Sequence, residues 1–230
     1  PHCGKEVQWI DWTGSHLNTT EVVNGGHYIL TKNVETSSQI RIGADATDTA
    51  EAIVADICID MNGHVAEGTS RAFAVYAGST LSLVNNSETE SYIIGAYKTD
   101  VGGVINLGGA SNLNLYDGIY LESVAETFDK KGGIVNMGTG TFNMYGGTLH
   151  GRSAASGGAI YINDGTFNMY GGLITGGRAT ASGGNIYLNS GVINLAGGII
   201  ENGIAEQGGN IMATKDARIT ISGGTITGGT

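Results

Sequence analysis

The sequence predicts an all-β chain folded as a parallel β-helix, a solenoid with three short strands in each coil of about 25 residues. Three observations lead there: glycine pairs recur at a fixed spacing, short segments between them alternate apolar and polar residues, and the composition suits stacked strands. Pairs opening at Gly132, Gly157, Gly183 and Gly208 are 25, 26 and 25 residues apart. A second set opening at Gly146, Gly171, Gly197 and Gly223 keeps the same period, at 25, 26 and 26. Two independent markers with one period are the signature of a repeat architecture. The 230 residues include 40 glycines, one proline and only 14% charged residues. Charge this sparse argues against disorder, and glycine is not at every third place as collagen requires.

Taken from the N-terminus, residues 1–24 form a cap or lead-in, and the solenoid runs over 25–230, irregular in 25–100 and regular in 101–230. A cap is expected because an open first coil would expose a bare strand edge. In the irregular part, "SQIRIGAD", "ICIDMNGHV" and "AFAVYAGSTLSLVNN" each read as strands. A division into two domains near Gly68 is the alternative. The regular part begins with "VINL", "NLNLY" and "GIYLE". It continues with "IVNM", "TFNMY", "GTLHG", then "AIYI", "TFNMY", "GLITG", then "NIYL", "VINLA", "GIIEN", and ends with "NIMA", "RITIS", "GTITG". Alternation over four or five residues indicates half-buried strands rather than helices. Asn-Asp-Gly, Asn-Ser-Gly and Gly-Gly supply the turns between them.

Stacking the coils at the ordinary strand spacing of about 4.8 Å makes inward columns. They are Leu113, Phe142, Phe167, Ile193, Ile219; Leu115, Met144, Met169, Leu195, Ile221; Ile105, Val135, Ile160, Ile186, Ile211; Leu107, Met137, Ile162, Leu188, Ala213; and Tyr120, Leu149, Ile174, Ile200, Ile226. Burial of each aliphatic side chain contributes roughly 1.5–3 kcal/mol. One coil has no partner for its apolar face, whereas stacked coils have one on each side.

The net charge is −10. An acidic surface repels phosphate backbones and anionic lipid, so neither nucleic acid nor a membrane is expected as a partner. No apolar run approaches the roughly 20 residues of a membrane helix. The ends, Pro1 and Thr230, read as fragment boundaries without targeting signals, and the open last coil admits end-to-end self-association. Two cysteines, Cys3 and Cys58, make no disulfide framework. Cys58 lies in a strand pattern, where a lone thiol packs inertly.

The runs "GGHYILTKNV", "ICIDMNGHVAEGTSRAFAVYAGSTLSLVNN" and "GGAIYINDGTFNMYGGLITGG" resemble the right-handed β-helix domains of surface or secreted proteins from gut Firmicutes, similar in architecture to the pectate-lyase-like superfamily. The resemblance covers nearly the whole chain from Gly25. It implies an extracellular or cell-surface segment of a multidomain, adhesin-like protein. The superfamily also contains polysaccharide-cleaving enzymes, so the fold leaves the activity open. The opening "PHCGKEVQWIDW" resembles half of a Cys-Pro-His-Cys-Gly zinc knuckle, matched at Cys3. Only Cys3, His2 and His16 are candidate ligands, too few for a tetrahedral site within the chain, so no metal or cofactor is expected here.

Two places could hold chemistry. Tyr116, Tyr145 and Tyr170 recur at one outward position, with Asn114, Asn143 and Asn168 two residues earlier, and Asn194 extends the amide column. Aromatic rings cover apolar sugar faces and amides meet hydroxyls, so this wall is a candidate glycan site. A stacked ladder that stabilises the wall is the plainer reading of the same residues, because repeats produce ladders automatically. The second place is an insertion. From Gly118 to the next glycine pair is 14 residues, against 10, 11 and 10 in later coils. Its Glu122, Glu126 and Asp129, with His150 stacked under Leu121 and Arg152 under Ser123, would suit glycoside hydrolysis or uronate elimination. A solvated acidic loop is the plainer reading. Calcium-roll repeats, a phosphate-cradling loop, a nucleophile elbow and a zinc-protease motif are absent from the sequence. The expected function is a non-catalytic stalk or adhesive module that binds a glycan or a host protein. A polysaccharide-active enzyme is the alternative.

Overall fold

The structure, a computed structural model, describes residues 7–17, 26–48, 50–96, 102–124 and 131–230. Among them there is no helix. The strands form a β-solenoid with three stacked parallel sheets and about 26 residues to a turn. Each regular coil passes from a seven-stranded sheet to a nine-stranded sheet to an eight-stranded one. In one coil these strands are Ile160–Ile162, Gly165–Met169 and Leu173–Thr175; in the next they are Ile186–Leu188, Gly191–Leu195 and Ile199–Glu201. A short fourth side appears where Ser153–Ser156 pairs in parallel with Arg178–Ser182.

The paired glycines have two different causes. At Gly157–Gly158 the first residue turns the corner at φ +66°, and a Cβ on the second would collide with the Gly184 carbonyl of the next coil. Any side chain would therefore push the coils apart, which is why the repeat keeps both glycines.

Four of the five inward columns are in the expected register. Phe142 and Phe167 sit in the core 5.0 Å apart, both fully buried. The fifth column is corrected by one residue. Leu121, not Tyr120, stacks on Leu149, while Tyr120 pairs with Thr148 and faces outward. A one-residue shift exchanges the two faces of a strand. Here the alternation of Ile119–Ser123 puts Ile119, Leu121 and Ser123 inside.

The irregular half belongs to the same stack. Ile10–Trp12 pairs in parallel with Gly26–Leu30, and Trp12 packs on Phe73 at 6.0 Å. Strands on both sides of Gly68 share sheets: Val65–Gly68 pairs with Ser91–Gly95, and Asp56–Asp60 with Thr80–Val84. Between Ile42 and Asp56 the chain makes an excursion closed by antiparallel bridges Ala44–Ile53 and Thr47–Ala50.

Candidate glycan-binding wall

The outward residues of the nine-stranded sheet form two parallel rows. The inner row is an amide ladder. Nδ2 of Asn114 donates to Ser82 Oγ at 3.0 Å, that of Asn143 to Asn114 Oδ1 at 2.9 Å, and those of Asn168 and Asn194 to the preceding Oδ1 at 2.8 Å. Each bond joins one coil to the next, so these amides clasp the wall while keeping one N–H and one lone pair apiece for other partners.

The outer row is a stack of rings. Tyr116 and Tyr145 are 4.9 Å apart and inclined at 23°; Tyr145 and Tyr170 are 5.1 Å apart and inclined at 9°. This is the strand spacing, so each ring face is turned toward its neighbour along the stack. The internal ring, Tyr145, therefore shows solvent its edge and hydroxyl. The end differs. Ala196 follows Tyr170 in the column, its N–H bonded to the Met169 carbonyl at 2.8 Å, and then comes Ser222. A methyl group cannot cover a phenol ring, so the far face of Tyr170 is open. Tyr170 is 51% exposed, against 42% for Tyr145.

Past the tyrosines the chain turns through Asp117–Gly118, Gly146–Gly147 and Gly171–Gly172 into the eight-stranded sheet. A groove of about 230 Å³ follows this corner, lined by Glu90, Asp117, Tyr120, Thr148 and Leu173 with the turn glycines. Gly147 and Gly172 have φ +78° and +86°, and their missing side chains keep the corner low. A second stack stands at its edge: Tyr92 and Tyr120, 5.0 Å apart and inclined at 22°. Glu90 accepts from both hydroxyls, at 3.2 Å from Tyr92 and 2.8 Å from Tyr120. That hydrogen bond holds the Tyr120 phenol above its ordinary value. Burial and then Glu90 do the same for Tyr92. Both hydroxyls remain protonated donors.

The sequence did not single out Glu90, Asp117, Tyr92 or the outward role of Tyr120. The pair Tyr92 and Tyr120 falls where coil lengths vary, so the period did not align them. A third stack, Tyr161 and Tyr187 at 5.3 Å, lies on the seven-stranded sheet with Lys131 Nζ 3.0 Å from the Tyr161 hydroxyl. It was visible in "AIYI" and "NIYL".

The insertion site comes together in part. His150 lies beside Glu122, not under Leu121, for the same one-residue reason as the fifth column. Its Nδ1 is 3.4 Å from Glu122 Oε1. Arg152 Nε donates to the Ser123 carbonyl at 2.8 Å. Glu126 and Asp129 lie outside the described residues, as do His2 and Cys3. His16 Nδ1 accepts from the Arg41 N–H at 3.3 Å. Among the described residues no group of three His, Cys, Asp or Glu side chains is placed to hold a metal.

Cys58 is buried, but on the wall rather than in the core. It continues the amide column, between His27 and Ser82, beside a cavity of about 260 Å³. Burial, with Asp60 adding to it, pushes its thiol up to about 11. A nucleophilic cysteine needs the opposite shift.

No family model matches the chain, and neither a curated protein nor a solved structure matches it.

Proposed function

We propose that the chain is a non-catalytic, extracellular β-helix segment of a larger bacterial surface protein, a stalk whose tyrosine wall binds a glycan. The observation behind this reading is the open end of the Tyr116–Tyr145–Tyr170 stack, with two rings heavily exposed on a rigid sheet. Such a platform offers a sugar one apolar ring face, a row of phenol hydroxyls and the spare amide positions beside them. Glycoside hydrolysis takes two carboxylates flanking the scissile bond. Among the described residues the insertion site brings Glu122 to His150, and a reaction there would need a second carboxylate beside that pair.

A glycan array run with the protein and with its Tyr145→Ala/Tyr170→Ala variant tests the reading. Binding should fall by about tenfold or more, the loss of one to two stacking contacts, while the melting temperature changes little. Undiminished binding by the variant removes the wall from the function.

A further inference from the structure

We infer that the corner groove beside the tyrosine wall is a subsite for an amino-sugar ring, which lies on the open face of Tyr120 with its ammonium group against Glu90 and Asp117. The inference rests on the glycan-binding reading and narrows it to a class of sugar.

Shape is the first argument. The Tyr92–Tyr120 stack ends where the column continues with Thr148 and then Leu173. The face of Tyr120 turned toward the following coils thus has a small residue beneath it and a groove of about 230 Å³ beside it. From Tyr120, past Thr148 whose hydroxyl bonds the Tyr120 phenol, to Leu173 is two strand spacings, about 10 Å, and the sugar ring is placed along this stretch of groove over the small Thr148 side chain. Sugar rings present such flat C–H faces, and an aromatic face is their usual apolar partner.

Hydrogen-bonding capacity is the second. The lining side chains bring four carboxylate oxygens, which accept only. Glu90 uses one acceptor position on each oxygen for the two tyrosines and keeps another on each. Asp117 Oδ1 takes a long bond of 3.4 Å from the Gly147 N–H. A groove with surplus acceptors calls for a donor-rich ligand, and an ammonium group has three donors and no acceptor.

Charge is the third. Among the described residues the lining contains two carboxylates and no Lys, Arg or His. The nearby His150 faces Glu122. With a net charge of −10, the whole field favours a cationic sugar and repels a carboxylated one. Uronate and sialylated chains are therefore excluded from this corner.

The test compares four oligosaccharides of equal length by calorimetry: glucosamine, N-acetylglucosamine, glucose and galacturonate oligomers. The glucosamine oligomer should bind about tenfold more tightly than its N-acetylated form, a gain of about 1.4 kcal/mol from a charge-assisted contact. The advantage should shrink with added salt. Glu90→Gln/Asp117→Asn should abolish it, whereas the equal charge change Glu35→Gln/Glu67→Gln, on another part of the eight-stranded sheet, should leave it. Equal binding of glucosamine and galacturonate oligomers overturns the inference, as does a preference that survives the groove variant or disappears equally in both variants. Saccharide binding that depends on Tyr145 and Tyr170 but shows no amino preference sinks only the subsite. Absence of binding to any saccharide sinks both the subsite and the glycan reading.

Discussion

At the scale of single residues, the outward side chains answer to their neighbours in the next coil more than to solvent. Cys58 shows this. On a flat exposed strand it would be an ordinary thiol; within the wall column it is buried and held near 11, well above its usual value. The protonated thiol is the form the fold favours. Its contribution to stability is whole below the unfolded value of 9.0 and is lost as pH rises toward about 11, because the unfolded chain gives up its proton first. Melting temperatures across this window should fall more steeply for the protein than for Cys58→Ala. At pH 7.5 the native thiol should react with a disulfide reagent far more slowly than in denaturant. Matching rates would mean that the side chain is open.

At the scale of elements, the coil-to-coil amides divide into two kinds. The wall ladder is half exposed, and water can replace a lost partner. The corner amides are enclosed. Asn185, fully buried, donates to the Glu201 carbonyl and to Asn210 Oδ1, both at 2.8 Å, and accepts from the Gly177 N–H at 2.9 Å. Earlier coils place Ile134 and Ala159 at this position in the backbone ladder. Asn185→Ala should cost about 2–4 kcal/mol because it leaves buried groups without partners, whereas Asn194→Ala should cost about 0.5–1.5 kcal/mol. Denaturant titration of the two variants measures the difference. The reverse order would place the strength of the coil-to-coil contact on the wall.

At the scale of the whole molecule, one apolar core runs the length of the stack, and each coil depends on the coils beside it. Phe167 has Phe142 on one side and Ile193 on the other, all three fully buried. The coil of Ala217–Ile221 and Thr225–Thr227 packs on the preceding coil, and its Ile219, Ile221 and Ile226 are 38%, 58% and 40% exposed. Phe167→Ala should therefore cost about 3–5 kcal/mol, and Ile219→Ala about 1 kcal/mol or less. Amide exchange should be fastest in the strands Ala217–Ile221 and Thr225–Thr227 and slowest in the middle coils. Uniform protection from end to end would show that the coils do not behave as near neighbours in a row.

What the sequence determined by itself is the repeat and everything that follows from its period: the strands, the glycine corners, four inward columns, and the rows of Tyr116, Tyr145, Tyr170 and the asparagines. Between the regular coils an offset of 25 or 26 residues makes those neighbours predictable by counting. Across the longer step of 29 residues from Asn114 to Asn143 the matching phrases "NLNLY" and "TFNMY" align the wall, but they do not align the strand after the corner, and the step from Ser82 to Asn114 is 32. There only the hydrogen-bonded register decided that Leu121 is inside, that Tyr120 stands on Tyr92, and that Glu122 meets His150. The corner groove depended on tertiary structure entirely. Its walls come from four successive coils, and a hollow exists only once backbone and side chains from all of them are in place.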